Sequence, residues 1–545
     1  MRKKEVTGFA LIFGYLGIFL MFIGLLTGVP LLWLIGYPEE QACLWDFLIP
    51  VISYIVLGAI LYFALIFKRK RARFMRYEDR HLLFLIWVMA VVAGALPFFL
   101  AGIFHGMNMN FSESIFEATS AYSTTGLTAY KDFIDVPGAF APHVFLFHRA
   151  EMQFVGAAGL VLLLSSILSS SGGGMSLFAS EGHTDRLMPN LGQTAKVIFG
   201  ILTGYALVGT LALWFAGVPF FEALVIAMCA LAGGGMAPRS LNIAAYRDFP
   251  GNAVFSCSSL AVEIIVMVLA LLSATSFVLH LFLLKGQWKK FFRDDEVRFA
   301  AILLVLGTVL VGLGACYVYS REHSVAFGTN AGETFRSASF YVVSSLSTSG
   351  FGNTSMEGMI ALGKPFVYIS TMLMVIGGGV GSTGGGIKQY RIVISLRSLF
   401  ANIRYRYSPT RALNPTLTFR YGEKRQLDRA AVSEAHNYGL LFLFGLIGSS
   451  VLVCFLPEID PEIALFNVAS GMSGTGLSMI DFPAYGAAHP FAYHFLLWIQ
   501  AIGMLLGRLE IMPMIDSVRN YIEEFRFYRQ RGKRRREERR AHLDM

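Results

Sequence analysis

Long apolar runs separated by polar loops dominate the pattern of hydrophobic and polar positions along the chain. After the basic first residues, ten runs are long enough to cross a bilayer, for which about 20 predominantly apolar residues suffice. These runs lie at about 6–36, 44–67, 82–105, 143–169, 197–218, 253–284, 299–319, 364–394, 436–456 and 490–523. The pattern therefore predicts ten membrane-spanning helices.

Four shorter amphipathic runs, each ending in a turn rich in Gly, Ser or Thr, lie between the long ones. In each run an apolar residue precedes a glycine by ten positions, in the pairs Phe116 and Gly126, Leu224 and Gly234, Phe340 and Gly350, and Phe466 and Gly476. About 10 residues of helix reach only about 15 Å, so these runs are too short to cross and are predicted to be re-entrant. The predicted fold class is an all-α polytopic membrane protein with ten spanning helices plus four re-entrant pore helices. They would form four quasi-equivalent helix–pore loop–helix units around one central pore.

The repeat also divides the chain into regions. The opening pair of helices carries no copy of the turn and stands outside the repeat. Basic residues concentrate in the loops between units and in the tail, and the positive-inside rule then places both termini in the cytoplasm. The predicted divisions are a two-helix extension at 1–80, pore unit 1 at 81–180, pore unit 2 at 181–290, pore unit 3 with an intramembrane loop at 291–396, a cytoplasmic linker that could form an amphipathic surface helix at 397–430, and pore unit 4 with a basic cytoplasmic tail at 431–545.

Composition supports the membrane class and excludes others. Hydrophobic residues make up 55% of the 545 and charged residues 15%, whereas soluble domains carry about 25% charge. The net charge of +9 lies in loops between apolar runs, so it indicates membrane orientation and not nucleic-acid binding. The five cysteines show no paired spacing and are predicted to be small buried side chains without a disulfide or metal framework.

The repeated turns combine hydroxyl side chains with glycine. A short helix that ends at mid-membrane directs the negative end of its dipole there, which favours a cation. Glycine tolerates the dihedral angles that let successive carbonyls face one way, and rings of such carbonyls replace the hydration shell of potassium in selectivity filters. Ordinary helix-packing glycines are the alternative for any single turn, but four copies in one register favour an ion site.

Two further features suggest a barrier in the same region. The glycine run at 377–386 contains the GxGxxG pattern Gly379–Gly384, but a dinucleotide site needs a preceding strand, and an apolar helical run precedes it here. The run would instead interrupt a membrane helix and provide a hinge. Arg508 lies inside an apolar run, where a charge usually faces a bundle interior or an aqueous cavity. A structural ion pair, for example with Glu510, is the alternative.

Three acidic residues in or near apolar runs have ordinary interpretations. Glu263 could relay protons, but a protonated or paired structural carboxylate is the favoured interpretation. Glu117 and Glu222 fall near the starts of short helices and are predicted to act as caps, since a carboxylate suits that end of the dipole. No nucleophile–base arrangement and no metal-binding histidine pair stands out, so no enzyme activity is predicted.

The fourfold order of helix, re-entrant helix, glycine turn and helix resembles the Trk/Ktr/HKT superfamily of potassium transporters. Three stretches strengthen the resemblance: Met372–Arg391 resembles the glycine-rich interruption of the third unit, Met504–Pro513 the arginine motif of the last helix, and His148–Leu163, more weakly, an RxxxQWxGGxG-like motif. The resemblance covers about 80–525, and the extra opening pair makes the chain more similar to the Trk branch.

The resemblance implies potassium uptake across the cytoplasmic (inner) membrane of a prokaryote, with potassium as the transported ion and no organic cofactor on this chain. Arg508 and the glycine loop would form a gate below the filter, and Gly126 would favour potassium over sodium. The implied filter residues are Thr124, Thr125, Gly126, Ala232, Gly233, Gly234, Thr348, Ser349, Gly350, Gly474, Thr475 and Gly476. The implied gate residues are Gly377, Gly378, Gly379, Gly381, Ser382, Thr383, Gly384, Gly385, Gly386 and Arg508.

The implied partners are a second copy of the chain, membrane lipid and a cytosolic nucleotide-binding regulatory subunit of the TrkA/KtrA type, with no nucleic acid. Two points stay open at this stage. The second turn has no hydroxyl, and its three consecutive glycines, Gly233–Gly235, leave its register ambiguous by one residue. A secondary transporter coupled to protons or sodium is the alternative to channel-like flux.

Overall fold

The computed structural model describes residues 5–6, 8–67, 70–71, 78–105, 107, 109–136, 142–159, 191–407 and 417–509, and these are almost entirely helical. The end of the helix predicted at 143–169 lies outside the described residues. The basic tail after residue 509, with Glu510, lies outside them as well. The described parts fall into an opening pair of helices followed by four groups that each contain one short helix.

The opening pair consists of α1, Phe9–Thr27, and α2, Leu44–Leu65, joined by the 3-10 helices Val29–Ile35 and Pro38–Cys43. The two-residue strands β1, Glu5–Val6, and β2, Lys70–Arg71, pair in parallel at its end. The two helices approach closely because glycines face each other: a Cβ added at Gly17 would lie 2.7 Å from Gly58 O.

The four groups follow in chain order. The first contains α3, Glu78–Phe104, α4, Phe111–Tyr122, and α5, His143–Ala158. The second contains α6, Leu191–Phe215, α7, Phe220–Ala232, α8, Ser259–Ser273, and α9, Phe277–Leu284, and the connecting helix α10, Trp288–Arg293, follows it. The third contains α11, Asp295–Glu322, α12, Ala331–Ser347, α13, Met356–Ile360, α14, Gly363–Ile376, and α15, Gln389–Arg406. The fourth contains α16, Arg429–Cys454, α17, Pro461–Ser473, α18, Phe482–Ala488, and α19, Pro490–Arg508.

Seven helices among the described residues are long and apolar enough to cross a membrane, and a bent pair raises the number to as many as eight. The three other predicted spans do not form single long helices among the described residues. The span predicted at 143–169 continues into residues outside the described part. The one predicted at 253–284 is two helices, α8 and α9, bent by 112°, and the one at 364–394 is interrupted between α14 and α15 by the predicted glycine run.

The charged linker at 397–430 differs from the surface helix considered for it. Helix α15 continues to Arg406, and strands β3, Leu417–Arg420, and β4, Glu423–Gln426, form an antiparallel hairpin. Tyr421 and Gly422 both have positive φ, as a two-residue hairpin turn requires. Asp294 accepts a hydrogen bond from Tyr421 N at 2.8 Å, and burial raises the pKa of this carboxyl. The hairpin is thereby attached to the start of α11.

The packing of the groups is cyclic. Helix α5 packs against its own short helix α4 and the next one, α7; α8 packs in the same way against α7 and α12. Helix α14 packs against α12 and α17, and α19 closes the cycle by packing against α17 and α4. Each helix that follows a turn therefore joins two neighbouring short helices, and the four turns are brought to the middle of the molecule.

Candidate functional site

The four short helices end in the same backbone conformation. One residue just after each helix has a left-handed φ: Thr124 at 57°, Gly233 at 75°, Thr348 at 55° and Gly474 at 68°. In the second, third and fourth turns it follows the helix directly, and in the first turn Ser123 lies between. The N–H of the left-handed residue bonds to the carbonyl three residues earlier at 3.0 to 3.3 Å, and the next N–H bonds to the carbonyl five residues earlier at 2.8 to 3.0 Å. This is the Schellman cap, which satisfies carbonyls that the helix end leaves unpaired.

The shared conformation fixes the register of the second turn. In the other three turns the glycine lies two residues after the left-handed residue, as Gly126 follows Thr124. In the second turn the left-handed residue is Gly233, so Gly235 and not Gly234 is the equivalent glycine. The ten-residue spacing from Leu224 therefore placed this turn one residue too early. The second set is Gly233, Gly234 and Gly235, and Ala232, the last residue of α7, lies outside it.

The four equivalent glycines contact one another around a closed ring. A Cβ added at Gly126 would lie 2.6 Å from Gly235 N, and one added at Gly235 would collide with the Gly350 carbonyl. A Cβ at Gly350 would collide with the carbonyl of Thr475, and one at Gly476 with the carbonyl of Thr125. Side chains are excluded by the close approach of the neighbouring backbone, which is the physical reason for glycine at all four places.

The first and fourth turns are almost copies in their side-chain hydrogen bonds. Ser120 Oγ accepts from Gly126 N at 3.0 Å, and Ser470 Oγ accepts from Gly476 N at 3.0 Å. The hydroxyls of Ser123 and Thr125 are 2.8 Å apart, and those of Ser473 and Thr475 are 2.7 Å apart. These bonds connect residues at most six positions apart, so the turn sequence itself specifies them.

Glu117 holds the chain that leaves the first turn, and the prediction that it caps α4 is wrong. Its carboxylate accepts from Thr128 Oγ1 and from Ala129 N, both at 3.0 Å, and pairs with Arg149 Nε at 2.7 Å. The cap is instead Asn110 in a capping box with Glu113. Because Glu117 and Arg149 are both buried, removing either side chain would leave the charge of the other buried without its partner.

The other two acidic residues are also paired. Glu222 accepts from Arg239 Nε at 2.6 Å and Nη2 at 2.8 Å, so its main role is not the predicted capping of α7. Glu263 accepts from Arg336 Nε at 2.9 Å and Nη2 at 3.0 Å. The interpretation of Glu263 as a paired structural carboxylate is confirmed.

The glycine loop between α14 and α15 lies against the C-terminal ends of the short helices. Thr383 Oγ1 is 3.0 Å from Leu231 O in α7, and Gly385 N donates to Thr348 Oγ1 at 2.8 Å. From the side, Val380 N donates to Glu296 Oε1 at 2.9 Å. The contact of Glu296 with the loop was not predicted, because the sequence shows only an acidic residue in the first turn of an apolar helix. The pattern Gly379–Gly384 follows a helix and not a strand, so it lacks the context of a dinucleotide site.

Two cations lie at the glycine loop. Arg508 donates from Nη1 to Thr383 O at 3.2 Å and from Nη2 to Gly156 O at 2.7 Å, so it connects the loop to α5. Lys388, which the sequence interpretation did not single out, donates from Nζ to Gly384 O. Cations are favoured at the C-terminal ends of helices, and the short helices direct four such ends toward this region.

A cavity of about 60 Å³ lies beside these contacts and is lined by residues of both the turns and the loop. Ser123, Ser473 and Gly474 line it from the turns, and Ser382 and Gly385 from the loop. Arg508 and Lys388 also contribute to its wall. The structure therefore brings members of the two predicted residue sets, the turns and the glycine loop, to one cavity.

Comparison with known proteins places these features in a family context. The family model described as TrkH, cation transport protein, matches residues 49–523. An uncharacterized cation transporter of Methanocaldococcus jannaschii is 25% identical over 521 residues, which are 94% of this chain and 96% of that protein. The Trk system potassium uptake protein TrkH of Salmonella typhimurium is 27% identical over 469 residues, 85% of this chain and 88% of that protein.

The fold has a solved counterpart. The crystal structure of the potassium transporter TrkH from Vibrio parahaemolyticus superposes with a TM-score of 0.75 at 22% identity, covering 93% of this chain and 98% of that one. At this identity the likeness concerns the fold.

Proposed function

The chain belongs to the TrkH family of cation transport proteins, and on that premise we propose that it takes up potassium across the cytoplasmic membrane of a prokaryotic cell. Its similarity to Trk system potassium uptake proteins, such as TrkH of Salmonella typhimurium, supports potassium as the ion. The observation that carries the proposal is the closed ring of four glycine turns, in which backbone groups from four short helices meet.

The ring is proposed to be a selectivity filter. Its carbonyls would replace the hydration shell of potassium, and a smaller ion would be held less well by the same ring. Gly126, Gly235 and Gly350 are buried and Gly476 is half-buried. All four approach neighbouring backbone closely, so the ring has little freedom to contract. With the corrected second register, the proposed filter residues are Thr124, Thr125, Gly126, Gly233, Gly234, Gly235, Thr348, Ser349, Gly350, Gly474, Thr475 and Gly476.

The glycine loop and Arg508 are proposed to be the gate. The contacts of Arg508 with Thr383 O and Gly156 O support a closed arrangement, because they fasten the loop across the end of the cavity. A guanidinium in a low-dielectric passage also repels a potassium ion. Opening would require the loop residues 377–386 and Arg508 to separate.

The proposed architecture is that of the sequence analysis: a two-helix extension at 1–80 and four pore units, with ten spans and four re-entrant helices around one pore. Both termini are proposed to lie in the cytoplasm. The active assembly is proposed to be a homodimer under the control of a cytosolic nucleotide-binding subunit. The cyclic packing of α5, α8, α14 and α19 supports the single central pore.

Flux into vesicles tests this function. The purified chain in lipid vesicles should carry potassium and rubidium faster than sodium, and equal sodium flux would contradict the filter assignment. Gly126→Ser adds a side chain where the ring backbone is closest, so it should lower flux, and the flux that remains should show a weaker preference for potassium. The same change would leave the ion preference of a carrier with another binding site unchanged. Simultaneous measurement of internal pH separates uncoupled flux from proton-coupled transport, and adding the regulatory subunit with nucleotide tests control of the gate.

A further inference from the structure

The side chain of Gln153 lies against the second turn. Gln153 belongs to α5 and is completely buried, with 0% of its surface exposed. A Cβ added at Gly234 would lie 2.6 Å from Gln153 Nε2 and 2.9 Å from Oε1. The carboxamide therefore occupies the space into which a side chain at position 234 would project.

The carboxamide has unused hydrogen-bonding capacity. Among the described residues, neither Nε2 nor Oε1 of Gln153 has a hydrogen-bond partner. A buried polar group without a partner costs free energy that an apolar side chain of the same size would not cost. Packing alone therefore does not explain a glutamine at this place.

The other three turns each carry a hydroxyl side chain that the second turn lacks. Gly234 is equivalent to Thr125, Ser349 and Thr475, the residues between the left-handed residue and the ring glycine. Those three carry hydroxyls, and all three residues are buried next to the ring. In the second turn the corresponding place has no side chain of its own. The polar group there is the Gln153 carboxamide, which comes from the preceding group of helices.

We propose that Gln153 is a specificity-determining residue, whose carboxamide replaces in the second turn the hydroxyl that Thr125, Ser349 and Thr475 supply in the others. It acts through the backbone of the second turn: its carboxamide lies against Gly234 and supports that turn from behind. This inference rests on the proposed filter function. It also accounts for Gly234, since any side chain there would collide with the carboxamide.

Gln500 provides a matched control. It lies in α19, is 2% exposed and has an Nε2 atom without a partner among the described residues. Its Oε1 faces Gly471, which lies within α17 and three residues before the left-handed residue Gly474. Gln500 thus resembles Gln153 in burial and chemistry, but it lies against the last turn of α17 and not against the residue next to the ring glycine.

The test measures the ratio of potassium to sodium flux in vesicles containing the full chain. Gln153→Met keeps the size of the side chain and removes the amide, and it should lower the ratio roughly tenfold, which corresponds to about 1.4 kcal/mol of ion preference. Gln500→Met should leave the ratio unchanged. Gly234→Ser alone should abolish flux because of the collision. The double change Gln153→Ala with Gly234→Ser gives the second turn a hydroxyl of its own, and it should restore a ratio close to that of the unchanged chain.

Three results would overturn the inference: an unchanged ratio in Gln153→Met, an equal loss in Gln500→Met, or a double variant no more selective than Gln153→Ala alone. If Gln153→Met does not fold, as judged by size-exclusion chromatography, the inference is tested by comparing the ion ratio of the double variant with that of Gln153→Ala. An unchanged chain that does not prefer potassium to sodium would refute the proposed function itself, whereas a selective chain with an indifferent Gln153 would refute only this inference.

Discussion

The ring of turns and the glycine loop below it are both built from glycines, but they are held in different ways. Each turn is closed by hydrogen bonds within its own segment, as in the bond from Thr125 N to Ser120 O. The loop also has bonds within its own segment, for example from Gly378 N to Gly385 O and from Gln389 N to Gly378 O, but it is bonded to several other helices as well. Most of its other contacts come from distant elements, among them Ala274, Glu296 and Arg508.

This difference indicates which region can move. A Schellman cap is retained as long as its helix is intact, so the turns should be rigid. The loop depends on contacts with separate helices, and these can be exchanged when the helices shift. The contrast supports assigning ion discrimination to the ring and opening to the loop, and the following predictions test it from the largest expected effect to the smallest.

Gly350→Ala should have the largest effect. Gly350 has a φ of 68°, which costs an alanine about 1–2 kcal/mol, and the added methyl group would collide with the Thr475 carbonyl. We expect loss of potassium flux and a lower thermal unfolding temperature. Gly448→Ala is the control, because no atom lies within 4 Å of a Cβ added there. Normal flux in Gly350→Ala would show that the turns do not need their close approach.

Arg508→Gln should open the barrier. It removes the charge from the cavity and weakens the connection between the loop and α5, so basal flux without a regulatory subunit should rise by about tenfold or more. Arg508→Lys separates the two causes, because it keeps the charge but loses the planar two-pronged geometry. The potassium to sodium ratio should stay that of the unchanged chain, and a rise in sodium flux alone would assign Arg508 to ion selection.

Glu296→Ala should have a smaller effect of the same kind. It removes the acceptor of Val380 N and loosens one side of the loop, a hydrogen bond to a charged group worth about 1.5–3 kcal/mol. Basal flux should increase several-fold at an unchanged ion ratio. Glu322→Ala, at the exposed opposite end of α11, is the control. A decrease in flux would mean that this contact stabilises the open state.

Ser120→Ala should have the smallest effect. It removes the acceptor of Gly126 N, one bond among several in the first turn, at about 1 kcal/mol. The unfolding temperature should fall slightly, and the flux should be almost normal. Ser470→Ala in the fourth turn should behave in the same way, since its bond to Gly476 N has the same length. Strongly different effects would show that the two turns are not functionally equivalent.

The sequence by itself determined the membrane class, the four short helices and the positions of three turns. These depend on apolar run length and on bonds within about six residues, both of which can be read from the chain. The predicted register of the second turn was wrong by one residue, because three consecutive glycines carry no side chain that marks the register. Capping was also predicted for Glu117 and Glu222, although the partners of these carboxylates lie well beyond a single helical turn, at Arg149 and Arg239.

Only the tertiary structure decided what surrounds the glycines. The bond from Val380 to Glu296 spans 84 positions, and that from Arg508 to Gly156 spans 352. No local pattern encodes such pairs, because they form only when the helices pack around the ring. The same holds for Gln153, whose place behind the second turn follows from the packing of α5 between two short helices. Local chemistry therefore specified the turns, and helix packing specified how they meet, what supports them and what closes the space beneath them.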